Sequence, residues 1–435
     1  MPYGYSGKIA RVDLTNNKIW EDNLDEEIYR KYLGGGALGG YYVLNNVPPG
    51  TDAFDPVNQI VFAVSVVTGA PISGFGRHSV VSVSPLTGGI CDTEAGGFWG
   101  AEFKFAGFDA LVVEGKADKP VYLLVKDGKV SIEDASEIWG GFLKEARDYI
   151  NQKHDKKHKI LGIGPAGENL VRYACITADL RDANGRGGLG AVMGSKNLKA
   201  VAVSAGKKNI NPADPDTLKE IAKKFNKTYK DYAHPKMLSA LGTLGLINPH
   251  NDTGQLPSYN WRSGVIDNSE ELSGEKVRDT IRHKMAGCFA CTIKCKSLVK
   301  TETPYEVDPE YTISEYESVG ALGTYTGVTD LGVVAKAIEL CNKHTMDTVS
   351  VGAAISFAME CFEEGILTAE DTGRLELNFG NAEVIIPLVE MIAKREGVGD
   401  LLAEGVKRAS KKLGKGSEKF AMHCKGMEFP AHEPR

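Results

Sequence analysis

Short runs dense in branched apolar residues, set off by glycine, asparagine and aspartate, dominate the first half of the chain. "KIARVDLTNNKIWED", "IVFAVSVVTG", "HSVVSVSP", "ALVVEGKA", "VYLLVKDGKVSIED" and "KAVAVSAG" all read as strands bounded by turn residues. Asp127-Gly128 falls between two alternating runs, and a two-residue hairpin turn needs positive φ at both central positions, which glycine adopts freely. Beyond residue 210 the period changes. Asp214 followed by Pro215 marks a helix start, and "GVVAKAIELCNKH", "AAISFAMECFEEG" and "VIIPLVEMIAKREG" space their apolar residues as helices do, with Gly365 and Gly397 as expected stops. The pattern predicts an α+β protein: a β-rich domain over 1–210 and a mainly helical domain over 211–435, with no internal repeat.

Composition narrows the partners. The 435 residues are 42% hydrophobic and 25% charged, enough for a large core, and the formal charge is −6 with no dense Lys/Arg run to bind nucleic acid. No basic-then-apolar leader opens the chain and no stretch of about 18 apolar residues occurs, so neither export nor a membrane span is expected and a cytoplasmic location is. Glycine numbers 50 and clusters in five loops of the first domain: 32–40, 69–79, 93–110, 162–169 and 182–200. Such loops bring backbone amides close to a ligand, and Arg77 and Arg186 lie inside two of them, placed for phosphate or a planar heterocycle. "GRGGLG" follows no clear βαβ strand, which weakens a dinucleotide reading.

Three of the eight cysteines, Cys288, Cys291 and Cys295, fall within "AGCFACTIKCK". On a helix these positions share about a third of the circumference, and their neighbours Thr292, Lys294 and Lys296 are too polar for a buried stripe. An iron–sulfur cluster with a distant fourth ligand and a zinc site both fit the spacing.

With these motifs in hand, "GGFWGAEFKFAGFDALVVEGKA", "IGPAGEN", "GRGGLGAVMGSKNLKA", "GTLGLINPHNDTGQLPSYNW", "CFACTIKC", "EYESVGALG" and "KGMEFPAHEPR", in this order, resemble the tungsten-containing aldehyde:ferredoxin oxidoreductase family from residue 5 to the end. The resemblance implies a β-rich domain cradling a tungsten bis-pterin (tungstopterin), a [4Fe-4S] cluster nearby, and oxidation of an aldehyde to a carboxylic acid with electrons passed to ferredoxin. It makes Cys288, Cys291 and Cys295 cluster ligands and Arg77 a link between cluster and pterin. Gly96, Ala183, Gly185 and Arg186 match pterin- and magnesium-contacting positions, with Glu94 and Asp182 where the family often has Asn and Arg. Met346, through its backbone, and Asp347 fall on a pterin-binding segment in which Asn342 and Thr345 replace Asp and Gly. Glu317 aligns with an acidic residue beside the metal, or Glu315 if the register slips by two, and a carboxylate there suits a general base. Relatives continue past "PAHEPR" into a domain that supplies the fourth cysteine, a second pterin segment and a histidine. The expectation is therefore a partner polypeptide for the missing part and little activity from this chain alone. The same scaffold also serves low-potential reduction of acyl or aromatic thioesters, a non-catalytic pterin or iron–sulfur subunit is the other alternative, and a homo-oligomer is left open.

Overall fold

The computed structural model describes residues 3–433 and divides into two compact units. The first holds the chain up to Leu170, Ala174–Asp231 and Gly287–Thr292; the second holds Val171–Tyr173, Tyr232–Ala286 and the chain from Ile293 on. The α+β class is as expected: two six-stranded mixed sheets in the first unit, mainly helices in the second.

Twelve strands build the first unit: β1 (Ile9–Asp13), β2 (Lys18–Asp22), β3 (Ile60–Val64), β4 (His78–Val83), β5 (Ile90–Ala95), β6 (Ala110–Glu114), β7 (Val121–Lys126), β8 (Lys129–Asp134), β9 (Lys159–Gly162), β10 (Ile176–Ala178), β11 (Asp182–Asn184) and β12 (Leu198–Ser204). They order as β2-β1-β6-β3-β4-β5 and β11-β10-β9-β12-β7-β8. Alternation along each strand explains the layering. Ala10, Val12, Phe62, Val64, Leu111 and Val113 point from the first sheet into a core shared with Leu123, Val125, Leu161, Val201 and Val203 of the second. Their neighbours Ile9, Val61, Ala63, Ala110 and Val112 pack on the opposite face against Leu38, Tyr42 and Val43 of the helix Gly35–Asn46. A strand buried on both faces loses polar alternation, which is why β3 reads as an unbroken apolar run and β12 as one from Ala200 to Val203. Trp99, on the helix Trp99–Phe105, closes the shared core by donating Nε1–H to Val201 O (3.0 Å). The Asp127-Gly128 turn forms as read, with φ of 47° and 78°. β5, "ICDTEA", escapes sequence reading because Asp and Glu favour strands poorly; its six-residue register with β4 makes it a strand.

In the second unit Thr348–Glu363 is buried almost all round, from Val349 to Cys361, so its pattern marks a central helix rather than a surface one. Leu331–His344 and Ile385–Lys394 are its longer companions. Gly365 adopts φ of 69° just past the central helix, as a stop should. Gly397 does not end its helix: Arg395 takes the left-handed C-terminal position (φ 56°) and Gly397 opens the next helix, Val398–Leu402. Asp214 caps Pro215–Thr228 by accepting from the Asp216 and Thr217 amides, as its sequence signals.

Gly352 tests the packing of the central helix. A Cβ there would lie 2.2 Å from Ala321 O, in the wide turn Gly320–Thr324 where Tyr325 N–H reaches back five residues to Gly320 O. Alanine ordinarily favours a helix interior over glycine by about 1 kcal/mol. Here Gly352→Ala is expected to lower stability by about 1–3 kcal/mol through overpacking, read as a fall in the urea midpoint.

Candidate functional site

The pairing of β4 with β5 sets His78 opposite Ala95, so Arg77, one residue before β4, and Gly96, one residue after β5, emerge side by side. Onto this corner folds the segment Gly287–Thr292. Phe289 N–H donates to Gly97 O (2.9 Å), Thr292 N–H to Ser73 Oγ (3.0 Å), and the Phe289 ring meets Phe105 at 5.8 Å. The approach is tight: a Cβ on Gly96 would sit 2.6 Å from Cys288 Sγ, and one on Gly76 2.8 Å from Phe289 Cβ. Arg77 is exposed, its Nη1 3.8 Å from Glu94 Oε2. Arg77, Gly96 and Cys288 are thus brought together within one unit.

The cysteines are not helical. They occupy a loop between β13 (Arg282–Ala286) and β14 (Lys296–Val299), in which Ala290 and Lys294 take φ of 51° and 54° and Cys291 N–H donates to Cys288 O (3.2 Å). The physical reason is that the Phe289 and Thr292 amides are engaged by Gly97 and Ser73 rather than by carbonyls four residues back. Cys288, Cys291 and Cys295 are all half-buried. Elsewhere Cys91, Cys175, Cys341 and Cys361 are buried, and burial pushes the Cys91 and Cys361 thiols up to about 11 and about 12, so they stay protonated. Among the described residues no three His, Cys, Asp or Glu side chains converge as a single metal ion requires. A cuboidal cluster bonds each cysteine to a different iron and makes no such demand. The thiols on this loop, with Cys288 laid against Gly96, are donors of the kind an iron–sulfur cluster takes.

Ala183 lies in β11 and Gly185 and Arg186 follow it, and residues the sequence reading passed over hold that segment to β4 and β5. Asn184, fully buried, donates Nδ2–H to Thr93 O (2.9 Å) and its Oδ1 accepts from His78 Nε2 (2.9 Å). Ser84 Oγ–H donates to Gly187 O (2.6 Å), and Gly187 (φ 86°) leaves only enough room for Cys91: a Cβ would lie 2.2 Å from its sulfur. Their signal lay in the neighbours: His78 and Asn184 abut Arg77 and Ala183. Asp182 packs its carboxylate against Gly97 (φ 81°).

Burial holds His78 neutral, its pKa lowered to about 4, with the Asn184 bond and Asp182 opposing only in part. A histidine whose folded pKa lies below its unfolded value near 6.5 contributes stability that is complete above pH 6.5 and lost as pH falls toward 4. The expected loss is about 3 kcal/mol over that window. Urea midpoints measured from pH 7 to 4.5 should fall more steeply in the parent than in His78→Gln.

The second unit carries the remaining residues. Glu317, on the short helix Tyr316–Val319, accepts the Ala431 N–H at Oε2 (2.8 Å), and its Oε1 lies 3.1 Å from His432 Nε2. Tyr316 donates its hydroxyl to Ala431 O (2.6 Å) and lies 2.8 Å from His250 Nδ1, while burial lowers the His250 pKa. Ala431 approaches because Gly320 has no side chain: a Cβ there would lie 2.8 Å from the Ala431 Cβ. Glu315, the register alternative, instead accepts from Thr243 Oγ1 (2.6 Å), whose oxygen also takes the Tyr316 amide. Met346 is buried with its amide on Cys341 O (2.8 Å); Asp347 caps the central helix through Val349 N–H (3.0 Å) and lies 2.7 Å from Ser350 Oγ. Thr345 holds φ of 60°, the conformation that glycine adopts most readily at a helix end. Among the described residues no helix is long and apolar enough to cross a membrane.

Two family models match the chain: aldehyde ferredoxin oxidoreductase, N-terminal domain, over residues 9–205, and aldehyde ferredoxin oxidoreductase, domains 2 and 3, over residues 220–435. A tungsten-containing aldehyde ferredoxin oxidoreductase of Pyrococcus abyssi is 41% identical over 444 residues, covering 100% of this chain and 71% of that protein. An aliphatic sulfonate oxidoreductase, WOR-like subunit, of Pyrococcus furiosus is 32% identical over 99% of this chain and 71% of its own length. Among solved structures, the active-site complex BamBC of benzoyl coenzyme A reductase with 1,5-dienoyl-CoA superposes with a TM-score of 0.87 at 29% identity, covering 99% of this chain and 67% of that one.

Proposed function

Because the chain belongs to the aldehyde ferredoxin oxidoreductase family, we propose that it oxidises a small aldehyde to the carboxylic acid and passes the electrons to ferredoxin. A tungstopterin would supply two-electron redox chemistry and a [4Fe-4S] cluster single-electron exit. Cys288, Cys291 and Cys295 would ligate the cluster. The Arg77 and Arg186 guanidiniums would meet the pterin's anionic groups, and the backbone at Gly96, Ala183 and Gly185 the pterin and its magnesium; in the second unit, the Met346 backbone and Asp347 would contact pterin. The observation that carries this reading is the corner where Cys288 Sγ lies against Gly96 next to Arg77, since a site for a cluster abutting an anion needs a thiol, an open backbone and a cation in one part of the fold.

Conversion of an aldehyde and water to an acid releases two electrons and two protons. Glu317 is the base: Oε2 is fixed by the Ala431 amide, and a proton received at Oε1 has His432, half-exposed and 3.1 Å away, as its route to solvent. Glu315 instead accepts the Thr243 hydroxyl. Likeness to the benzoyl-CoA reductase complex supports a second reading, reduction of an aromatic thioester at low potential. Anaerobic reconstitution followed by metal analysis and paramagnetic resonance tests the proposal. Tungsten, about four irons and aldehyde-dependent dye reduction support it; zinc alone removes it, and turnover of aromatic acyl-CoA but not aldehydes selects the second reading.

A further inference from the structure

The helix Pro215–Thr228 is amphipathic, yet none of its residues is buried. Leu218, Ile221, Ala222 and Phe225, continued by Tyr229, recur at helical spacing and share one face. Ile221 is 51% exposed, and the Phe225 ring stacks on Tyr229 at 6.3 Å. An apolar stripe of this kind ordinarily faces a core. Lys219 and Lys224 flank it, one on either side, while Lys223 and Lys227 lie on the far face and Lys230 follows the helix; all five are exposed. From Lys219 to Lys230 these five cations face a single acid, Glu220, in a chain whose net charge is −6.

The segment leading into this helix reaches the cysteine loop through packed side chains of the same unit. Ile210 and Phe105 both close on Gly69, whose Cβ would lie 3.1 Å and 2.9 Å from them. Phe105 in turn meets Phe289, the residue after Cys288.

We propose that the Pro215–Thr228 helix is a docking surface for a small, acidic iron–sulfur electron carrier. Carboxylates on the carrier meet the flanking Lys219 and Lys224, which set association rate and specificity, while its apolar centre covers Leu218, Ile221 and Phe225. The role of the carrier rests on the oxidoreductase reading: each aldehyde oxidised yields two electrons, and each electron reduces the cluster of one oxidised carrier. Its binding does not depend on that reading.

The test is a calorimetric titration of the full chain, cofactor-loaded as isolated, with an oxidised acidic ferredoxin at low and physiological salt. The expected results are affinity that falls as salt rises, and a Kd weakened about tenfold or more in the Lys219→Glu, Lys224→Glu double variant and also in Phe225→Ser. Thermal midpoints and dye-linked turnover should stay those of the parent. A Kd indifferent to both variants overturns the proposal. So does sedimentation showing that the chain alone self-associates and that Phe225→Ser restores the monomer, or a polypeptide that covers this face regardless of charge reversal. Charge-sensitive binding without aldehyde turnover sinks the functional reading and leaves the docking surface standing; turnover with charge-insensitive binding does the opposite.

Discussion

Glu317→Gln is expected to lower turnover of the cofactor-loaded protein, in the assembly in which it is isolated, by about 10²–10⁴-fold with substrate affinity little changed. The amide keeps the Ala431 N–H contact at one end and fills the same space, but it takes up no proton. Glu315→Gln should leave turnover near parent level, because that carboxylate is engaged by Thr243 and not by His432. His432→Gln should act differently again. Losing the imidazole 3.1 Å from Glu317 Oε1 removes a proton exit but not the base, so the pH–rate profile should shift while activity falls far less than in Glu317→Gln. Equal losses in the Glu315 and Glu317 variants would show that neither acts as the base. A profile untouched in His432→Gln would leave His432 as a surface residue.

Gly96→Ala should cost the protein its cluster. The φ of Gly96 is ordinary, so alanine meets no backbone strain; the obstacle is Cys288 Sγ, 2.6 Å from where the Cβ must go. Contacts that short force one partner to move. Since Phe289 and Thr292 anchor the loop by backbone hydrogen bonds, the thiol itself is displaced. Iron content and the resonance signal of reduced protein should fall to the level of Cys288→Ala. Stability without cofactor should fall by only about 1–3 kcal/mol, measured as a urea midpoint. Gly74→Ala, at a position with open space around its Cβ but φ of 93°, controls for strain alone and should keep its iron. Full iron incorporation in Gly96→Ala would show that the loop rearranges on cluster binding and that the corner is not preformed.

Much of this was legible in the residues because it depends on local physics. Branched apolar runs between turn residues marked most of the strands, Asp127-Gly128 its hairpin, and Asp214-Pro215 its helix start, since period, positive φ and capping are properties of a few neighbouring residues. The cysteine spacing and the ordered motifs pointed to the family for the same reason. Local signals also misled. The cysteines sit at helical spacing on a segment that is a loop, and Gly397 looks like a stop while Arg395 serves as one. At the cysteines distant partners outweighed the local pattern; at Arg395 the bonds that end the helix are themselves local, returning to Ile392 and Met391 O.

Only the tertiary structure decided what touches what. That β5 pairs with β4, setting Gly96 beside Arg77, follows from a sheet order no single strand encodes. That Asn184 and His78 bond, or that His432 stands at Glu317, joins positions 106 and 115 residues apart. Burial, too, is a property of the assembled chain: it keeps the His78 imidazole neutral and the Cys361 thiol protonated, whereas residue type alone would have allowed either state. The sequence by itself settled which groups this protein has for chemistry, because residue types and short-range spacing are written in it. The fold settled which of them meet, and in what charge state, because contact and desolvation arise only once distant segments pack.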